Sequence, residues 1–235
     1  VFWLKRFNLS KLMPVISQIA PAGRCLAPQQ VTGVIAQACP AKEYRGKRVL
    51  LIVPDGTRTA PVGLLFQTLH RQLAEVTGAF DVLIALGTHQ PMNEQAICAR
   101  LEISESERRE AYRQVRFFNH AWNDPATLKR IGVIPASEIR ELSSGLFAMD
   151  VPVEVNRLLF DYDQILIIGP VFPHEVVGFS GGNKYLFPGV AGPDAKAMDQ
   201  LNAAAKQSTL AVGAPTDEDA AAMAGLQPTQ AVVNL

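Results

Sequence analysis

The segment from residue 169 to residue 192 holds the side chains best suited to chemistry. It contains His174, a serine and two glycines at 180–182, and Lys184. Histidine and lysine are side chains that transfer protons or form covalent bonds with electrophiles. Adjacent glycines let backbone N–H groups come close to an anion. We therefore interpret this segment as an active loop.

The residues of this loop also suggest two other interpretations. In one, it is a turn-rich connection in which His174 is an ordinary packed histidine and Lys184 a solvated lysine. In the other, it is a phosphate-binding loop of the form G-x-x-x-x-G-K-[ST], which needs a glycine before the lysine and a hydroxyl residue after it. Asn183 and Tyr185 flank the lysine instead, so the sequence excludes the phosphate-binding loop.

Further polar candidates follow apolar runs elsewhere in the chain. Repetition of this placement is hard to obtain from core packing alone, and we expect these side chains to converge on one cleft. They are Asp55 and Arg58 after residues 48–54, His89 after residues 80–86, and His120 after residues 115–118.

Each candidate has a chemistry that its residue type allows. Arg58 can hold a carboxylate or a phosphate through two parallel hydrogen bonds. Asp55 can orient a ligand hydroxyl, or it can anchor its own turn. His89 and His174 can take and return protons near neutral pH, and two such bases on opposite sides of a carbon suit racemisation or epimerisation. Lys184 can be a covalent attachment point or an anion ligand.

The elements that must position these residues alternate between strands and helices. Short apolar runs at 48–54, 80–86, 151–155 and 164–168 predict buried strands. Apolar residues at three- and four-residue intervals predict helices over 29–39 and 62–76, and Asn93 can cap another. We predict an α/β fold, a mainly parallel sheet with helices on both faces, whose active loops lie at the carboxyl ends of the strands.

The composition narrows the class of protein. The 235 residues are 48% hydrophobic and carry 22 basic and 22 acidic residues, so the chain predicts a globular protein without nucleic acid as a partner. Three cysteines without C-x-x-C spacing favour a reducing, cytoplasmic location. No apolar run approaches the length of a membrane span, and the proline-interrupted N-terminus does not fit a signal peptide.

Five motifs together resemble the N-terminal domain of the nickel-dependent lactate racemase family. The resemblance runs from about residue 47 to about residue 193. The motifs are Pro54-Asp55-Gly56-Thr57-Arg58, LGTHQPM at 86–92, Asn119-His120, VEVNR at 153–157, and Pro173-His174 with GFSGGNK at 178–184.

This resemblance implies a cofactor, a substrate class and roles for several residues. The cofactor is a nickel-pincer nucleotide, pyridinium-3,5-bisthiocarboxylic acid mononucleotide with nickel, attached covalently to Lys184. His89 and His174 are the catalytic acid/base pair, and the substrate is a 2-hydroxy acid such as lactate. The resemblance also implies the cofactor-synthesis machinery as a partner and assigns His120 no role beyond lining the cleft. The remaining cofactor-binding residues that it implies are Asp55, Thr57, Arg58, Ser180, Gly181 and Gly182.

The chain also departs from the family pattern. Gln200 occupies the position of the nickel-ligating histidine of many members, and an amide is a poor nickel ligand. The protein ligand of nickel is therefore left unassigned. We predict an N-terminal extension over 1–24, the α/β domain over 25–193 and an alanine-rich tail over 194–235, with the C-terminal domain of the family missing. The chain starts with valine, which fits a fragment.

The residues are also compatible with two functions from classes other than the racemases. One is a non-catalytic or truncated module that binds a nucleotide or a small carboxylate, which loss of the nickel ligand would leave possible. The other is an enzyme in which Lys184 forms a Schiff base with a carbonyl group.

Overall fold

The structure, a computed structural model, describes residues 16–174, 178–179 and 181–193. Short 3-10 helices also occur at Ala41–Glu43, Pro125–Thr127, Arg157–Phe160 and Gly182–Tyr185. The helices and strands in chain order are α1 (Pro28–Ala38), β1 (Arg48–Pro54), α2 (Val62–Leu73), β2 (Ala79–Ala85), α3 (Glu94–Arg100), α4 (Glu105–Arg109), β3 (Phe117–Asn119), β4 (Leu128–Ile134), α5 (Ala136–Leu142), β5 (Val151–Asn156), β6 (Gln164–Ile167), β7 (Pro173–His174) and β8 (Gly178–Phe179).

The main sheet contains four parallel strands in the order β3-β2-β1-β6. Leu51 of β1 lies in register with Val82 of β2 on one side and with Leu166 of β6 on the other. Since all four strands run the same way, their carboxyl ends meet at one edge of the sheet. The predicted α/β fold with a mainly parallel sheet is confirmed.

The central strand β1 is covered on both faces. Val49, Leu51 and Val53 belong to the larger core, which includes side chains of α1, α2 and α3. Leu50 and Ile52 belong to a second core, formed with the 3-10 helices at 157–160 and 182–185. Strand side chains alternate between faces, so a run of apolar residues needs two such covers. One face of the sheet is thus covered by α-helices and the other by 3-10 helices.

The predicted helices form for the local reasons that their sequences indicate. In α2, the residues at helical spacing, Val62, Phe66, Leu69 and Leu73, are all buried against the sheet. Helix α3 begins after Asn93, whose side chain accepts a hydrogen bond of 2.8 Å from the backbone N–H of Ala96. This N-cap satisfies one of the N–H groups that a helix leaves unpaired at its start.

The strand at residues 151–155 differs from the expectation. It forms β5, which pairs antiparallel with β4 in a separate two-stranded sheet, and it does not extend the parallel series. Strand β4 could not be predicted from its sequence, because Lys129, Arg130 and Gly132 interrupt its apolar residues. β5 also forms an antiparallel bridge between Val155 and Ala191, which joins this small sheet to the segment after Lys184.

The three cysteines are free, with Cys39 and Cys98 buried and Cys25 exposed. Among the residues that the structure describes, no helix has both the length and the apolar character needed to span a bilayer. The domain boundaries at residues 24 and 193 stay predictions.

Candidate functional site

A cavity of about 250 Å³ lies where β1 and β2 end, at the edge of the sheet where the sequence predicted the active loops. Pro54 and Ala85, the last residues of the two strands, form part of its wall. Six of the predicted site residues line it: Asp55, Thr57, Arg58, His89, Gly181 and Lys184. Loops that are distant in sequence therefore meet at one cavity.

The Asp55 carboxylate organises the first of these loops. Its Oδ1 accepts hydrogen bonds from the backbone N–H of Thr57 at 3.1 Å and from the Thr57 hydroxyl at 2.5 Å. Its Oδ2 lies 2.6 Å from Nδ1 of His89, at the end of the neighbouring strand. Of the two roles open to Asp55 from sequence, the turn anchor is present, and the carboxylate additionally holds His89.

The hydrogen bonds decide the charge of Asp55. Burial by itself raises the pKa of this carboxyl group, but the hydrogen bonds from Thr57 and His89, together with the charge of His89, outweigh burial and lower it. Asp55 is therefore ionised at neutral pH and accepts the Nδ1 proton of His89. In the neutral imidazole this leaves Nε2 as the proton acceptor. The His89 side chain is 51% exposed, so a ligand can reach that nitrogen.

Arg58 and Tyr185 add charge and an apolar wall to the cavity. Arg58 is exposed and contributes a permanent positive charge. Tyr185 is buried, and burial raises the pKa of its hydroxyl to about 12 even though Arg58 and Arg100 oppose the shift. The phenol is therefore neutral at physiological pH. Sequence reasoning used Tyr185 only to exclude a phosphate-binding loop and missed it as part of the cavity wall.

The segment that carries Lys184 is held by backbone hydrogen bonds. Lys184 donates its N–H to the carbonyl of Gly181 at 3.0 Å and accepts at its own carbonyl from Gly189 at 2.9 Å. Gly189 in turn accepts from the N–H of Gly87, which precedes His89 in the second loop. A backbone hydrogen bond therefore joins the segment that carries Lys184 to the loop that carries His89.

Two glycines are required for this close approach. Gly181 has a φ of +85°, which side-chain-bearing residues rarely adopt, and an added Cβ would collide with the Pro170 carbonyl. At Gly189 an added Cβ would lie 2.6 Å from the Tyr185 carbonyl oxygen. Gly181, which was predicted to surround a cofactor, thus also lets the Lys184 segment approach residue 170, and Gly189 lets that segment fold closely on itself. Gly182 has a φ of +54° and begins the 3-10 helix, outside the cavity lining.

His120 has a different place from the one expected. It is 1% exposed and is absent from the cavity lining. Its Nε2 donates to the Ala191 carbonyl at 3.0 Å, and its Nδ1 accepts from the Asn156 side-chain amide at 3.1 Å. Burial lowers the pKa of His120, although the bond to Ala191 opposes the shift. His120 is therefore a neutral histidine that ties the end of β5 to the segment after Lys184.

Three of the predicted positions are described in part or lie outside the described residues. His174 is described through its backbone, which pairs with Gly178 between β7 and β8. Ser180 and Gln200 lie outside the described residues. The pairing of His174 with His89, the contact of Ser180 with a cofactor and the consequence of Gln200 stay predictions.

A metal held by protein side chains alone has no site in the described part of the chain. Within residues 16–174, 178–179 and 181–193, no group of three or more His, Cys, Asp or Glu side chains is placed to bind a metal ion. What the cavity offers is a proton acceptor, an arginine and a lysine around a space for a small molecule. This set suits a carboxylate ligand with an exchangeable proton.

Comparison with known proteins gives consistent similarities. The family model for the lactate racemase N-terminal domain matches residues 34–208. The lactate racemase of Thermoanaerobacterium thermosaccharolyticum is 27% identical over 149 residues, which cover 62% of this chain and 30% of that protein. The lactate racemase of Lactiplantibacillus plantarum is 25% identical over 150 residues, which cover 63% of this chain and 31% of that protein. The matched region thus spans under a third of each curated relative.

A crystal structure of a Thermotoga maritima protein is also similar. It superposes with a TM-score of 0.68 at 32% identity, over 76% of this chain and 41% of that one. The similarity supports the α/β fold across most of the chain.

Proposed function

This chain belongs to the lactate racemase N-terminal domain family, and we propose that it is the cofactor-bearing part of a racemase or epimerase that acts on a 2-hydroxy acid such as lactate. The observation that carries the proposal is the Asp55–His89 pair, 2.6 Å apart on a cavity that Arg58 and Lys184 also line. Inverting a hydroxy acid requires a base for the hydroxyl proton and a cation for the carboxylate, and this cavity has both.

The residues fit a cofactor that is attached through a lysine and brings most of its own metal donors. Lys184 lies in the cavity lining, and Gly181 lets the segment before this lysine pack directly against the Pro170 carbonyl. When bound at Lys184, the nickel-pincer nucleotide would supply hydride-transfer chemistry.

The chain's own residues bind the substrate and move its protons. Arg58 holds the substrate carboxylate and so fixes the orientation of the adjacent carbon. His89 takes the hydroxyl proton at Nε2, and the ionised Asp55 stabilises the imidazolium that forms. We assign the matching role on the opposite side of the carbon to His174.

The first experiment tests attachment of the cofactor. The chain is produced together with cofactor-synthesis enzymes, and intact mass, peptide mapping and nickel content are measured. We expect a sulfur-containing adduct on Lys184 with about one nickel per chain, and an unmodified, nickel-free Lys184→Arg variant. Lys42→Arg, at an exposed lysine outside the cavity lining, is the matched control and keeps the adduct. An unmodified Lys184 would contradict the proposal.

A second experiment separates the racemase from its alternatives. The loaded chain is incubated with each single enantiomer of lactate and of larger 2-hydroxy acids, and the opposite enantiomer is measured. We expect interconversion that His89→Gln abolishes. An adduct without turnover would favour a module that binds without catalysis. Borohydride trapping of a carbonyl compound on Lys184 would favour a Schiff-base enzyme.

A further inference from the structure

Arg100 of helix α3 holds the turn that carries Asp55. Arg100, in the last turn of α3, donates from Nε to the carbonyl of Pro54 at 3.1 Å and from Nη2 to the carbonyl of Arg58 at 2.8 Å. These carbonyls stand at the two ends of a five-residue turn. One planar guanidinium therefore spans the turn that presents the site's carboxylate and arginine to the cavity.

We propose that Arg100 is a positioning residue for the Asp55–His89 pair. Helix α3 follows the loop of His89, whereas the turn that it clamps follows β1. The guanidinium thus fixes the loop of Asp55 relative to the loop of His89, independently of the hydrogen bond between these two side chains. The importance of Arg100 for catalysis rests on the proposed function, but its geometry and its test require neither cofactor nor turnover.

A simpler role for Arg100 is that of a cation at the end of a helix. Arginine near a helix C-terminus interacts favourably with the helix dipole, and lysine serves equally well there. The two hydrogen bonds to carbonyls outside α3 point to the positioning role instead, because the planar guanidinium, with donors in a fixed arrangement, reaches both ends of the turn at once. Arg100 is also half-buried, and burial lowers the pKa of its guanidinium while the nearby Asp55 charge opposes the shift.

The two roles are separated by replacing arginine with lysine. Arg100→Lys keeps the positive charge at the end of α3 and loses the planar guanidinium. We expect the turn to loosen and the hydrogen bonds on Asp55 to weaken, so that the pKa of its carboxyl group rises. Carbon-detected NMR titration of the Asp55 carboxyl group in the full chain measures this change. Hydrogen exchange at the Thr57 amide should quicken about five-fold, as expected for the loss of one hydrogen bond.

Matched variants complete the test. Arg71→Lys makes the same replacement at an exposed arginine in the last turn of α2, and we expect it to leave Asp55 unchanged. If Arg100→Lys proves too unstable to measure, Arg100→Gln, which keeps a neutral donor for one carbonyl, is titrated instead. An Asp55 titration and a Thr57 exchange rate equal to those of the wild type would overturn the proposal. Because no substrate is used, that result would leave the racemase proposal untouched.

Discussion

Nδ1 of His89 and Oδ2 of Asp55 lie 2.6 Å apart, across two loops separated by 34 positions in the sequence. The carboxylate is almost fully buried, whereas the imidazole is half exposed. A buried anion with fixed partners thus orients an accessible base. This arrangement gives His89 a defined tautomer and keeps the negative charge of Asp55 out of the open part of the cavity.

Replacing Asp55 by asparagine should destabilise the fold in a pH-dependent way. Hydrogen bonds to a charged group contribute about 1.5–3 kcal/mol, and we expect Asp55→Asn to lower the free energy of unfolding by about this amount at neutral pH. The folded pKa of Asp55 lies below its ordinary value of 3.8, so this stabilisation is present above that pH and is lost as the pH falls through the folded pKa. Urea unfolding of both proteins should therefore converge in acid. Asp161→Asn, at an exposed aspartate, is the control, and a constant difference at all pH values would contradict the prediction.

His120 should contribute to stability and to its pH dependence. In His120→Leu, the Ala191 carbonyl and the Asn156 amide lose their partner, so we expect a loss of about 2–5 kcal/mol. The folded pKa of His120 lies below its ordinary value of 6.5, so wild-type stability is full above that pH and falls as the pH drops from it towards the folded pKa.

The free energy of unfolding of His120→Leu should lose the pH dependence that comes from His120. Urea unfolding from about pH 7 to pH 5 measures this change. His70 has a pKa lowered by burial as well and contributes a slope of the same sign. His70→Gln is therefore the control that retains the His120 component. An unchanged slope in His120→Leu would show that its imidazole takes up a proton in the folded protein as readily as in the unfolded one.

Gly169 should resist replacement because of Tyr185. A Cβ at this position would lie 2.6 Å from the Cζ atom of the buried Tyr185 ring, which would have to shift. We expect Gly169→Ala to cost about 1–3 kcal/mol in thermal or urea unfolding. Gly33, within α1, has no neighbouring atom in the way of a Cβ, and Gly33→Ala should stabilise the chain by about 0.5–1 kcal/mol. Equal effects of the two variants would argue against the steric explanation.

Arg58 should act on substrate binding if the proposed function holds. Arg58→Lys keeps the charge and loses the two-point hydrogen bonding of a carboxylate. In the cofactor-loaded chain we expect KM for the 2-hydroxy acid to rise about ten- to hundred-fold, with a smaller change in kcat, because a charged hydrogen bond is lost. Initial-rate kinetics measure both constants, with Arg113→Lys at an exposed position as control. A change in kcat alone would place Arg58 elsewhere in the reaction.

Much of the main sheet could be predicted from local patterns. The apolar runs at 48–54, 80–86 and 164–168 correspond to β1, β2 and β6, and those of β1 and β2 are mostly apolar at successive positions because both faces of these strands are covered. The antiparallel pair β4–β5 could not be predicted in the same way. β4 is largely exposed and carries mixed residues, and its strand conformation depends on pairing with β5.

The sequence by itself determined which residue types stand after which strands, and with them the resemblance to the family. That Asp55, Arg58, His89 and Lys184 share one cavity follows from the parallel direction of the strands, which the alternation of elements already indicated. Only the tertiary structure decided that His120 is buried away from the cavity, that Tyr185 forms its wall and that Arg100 clamps the first loop. These roles depend on contacts between segments distant in sequence, where the identity of one residue does not reveal its partner.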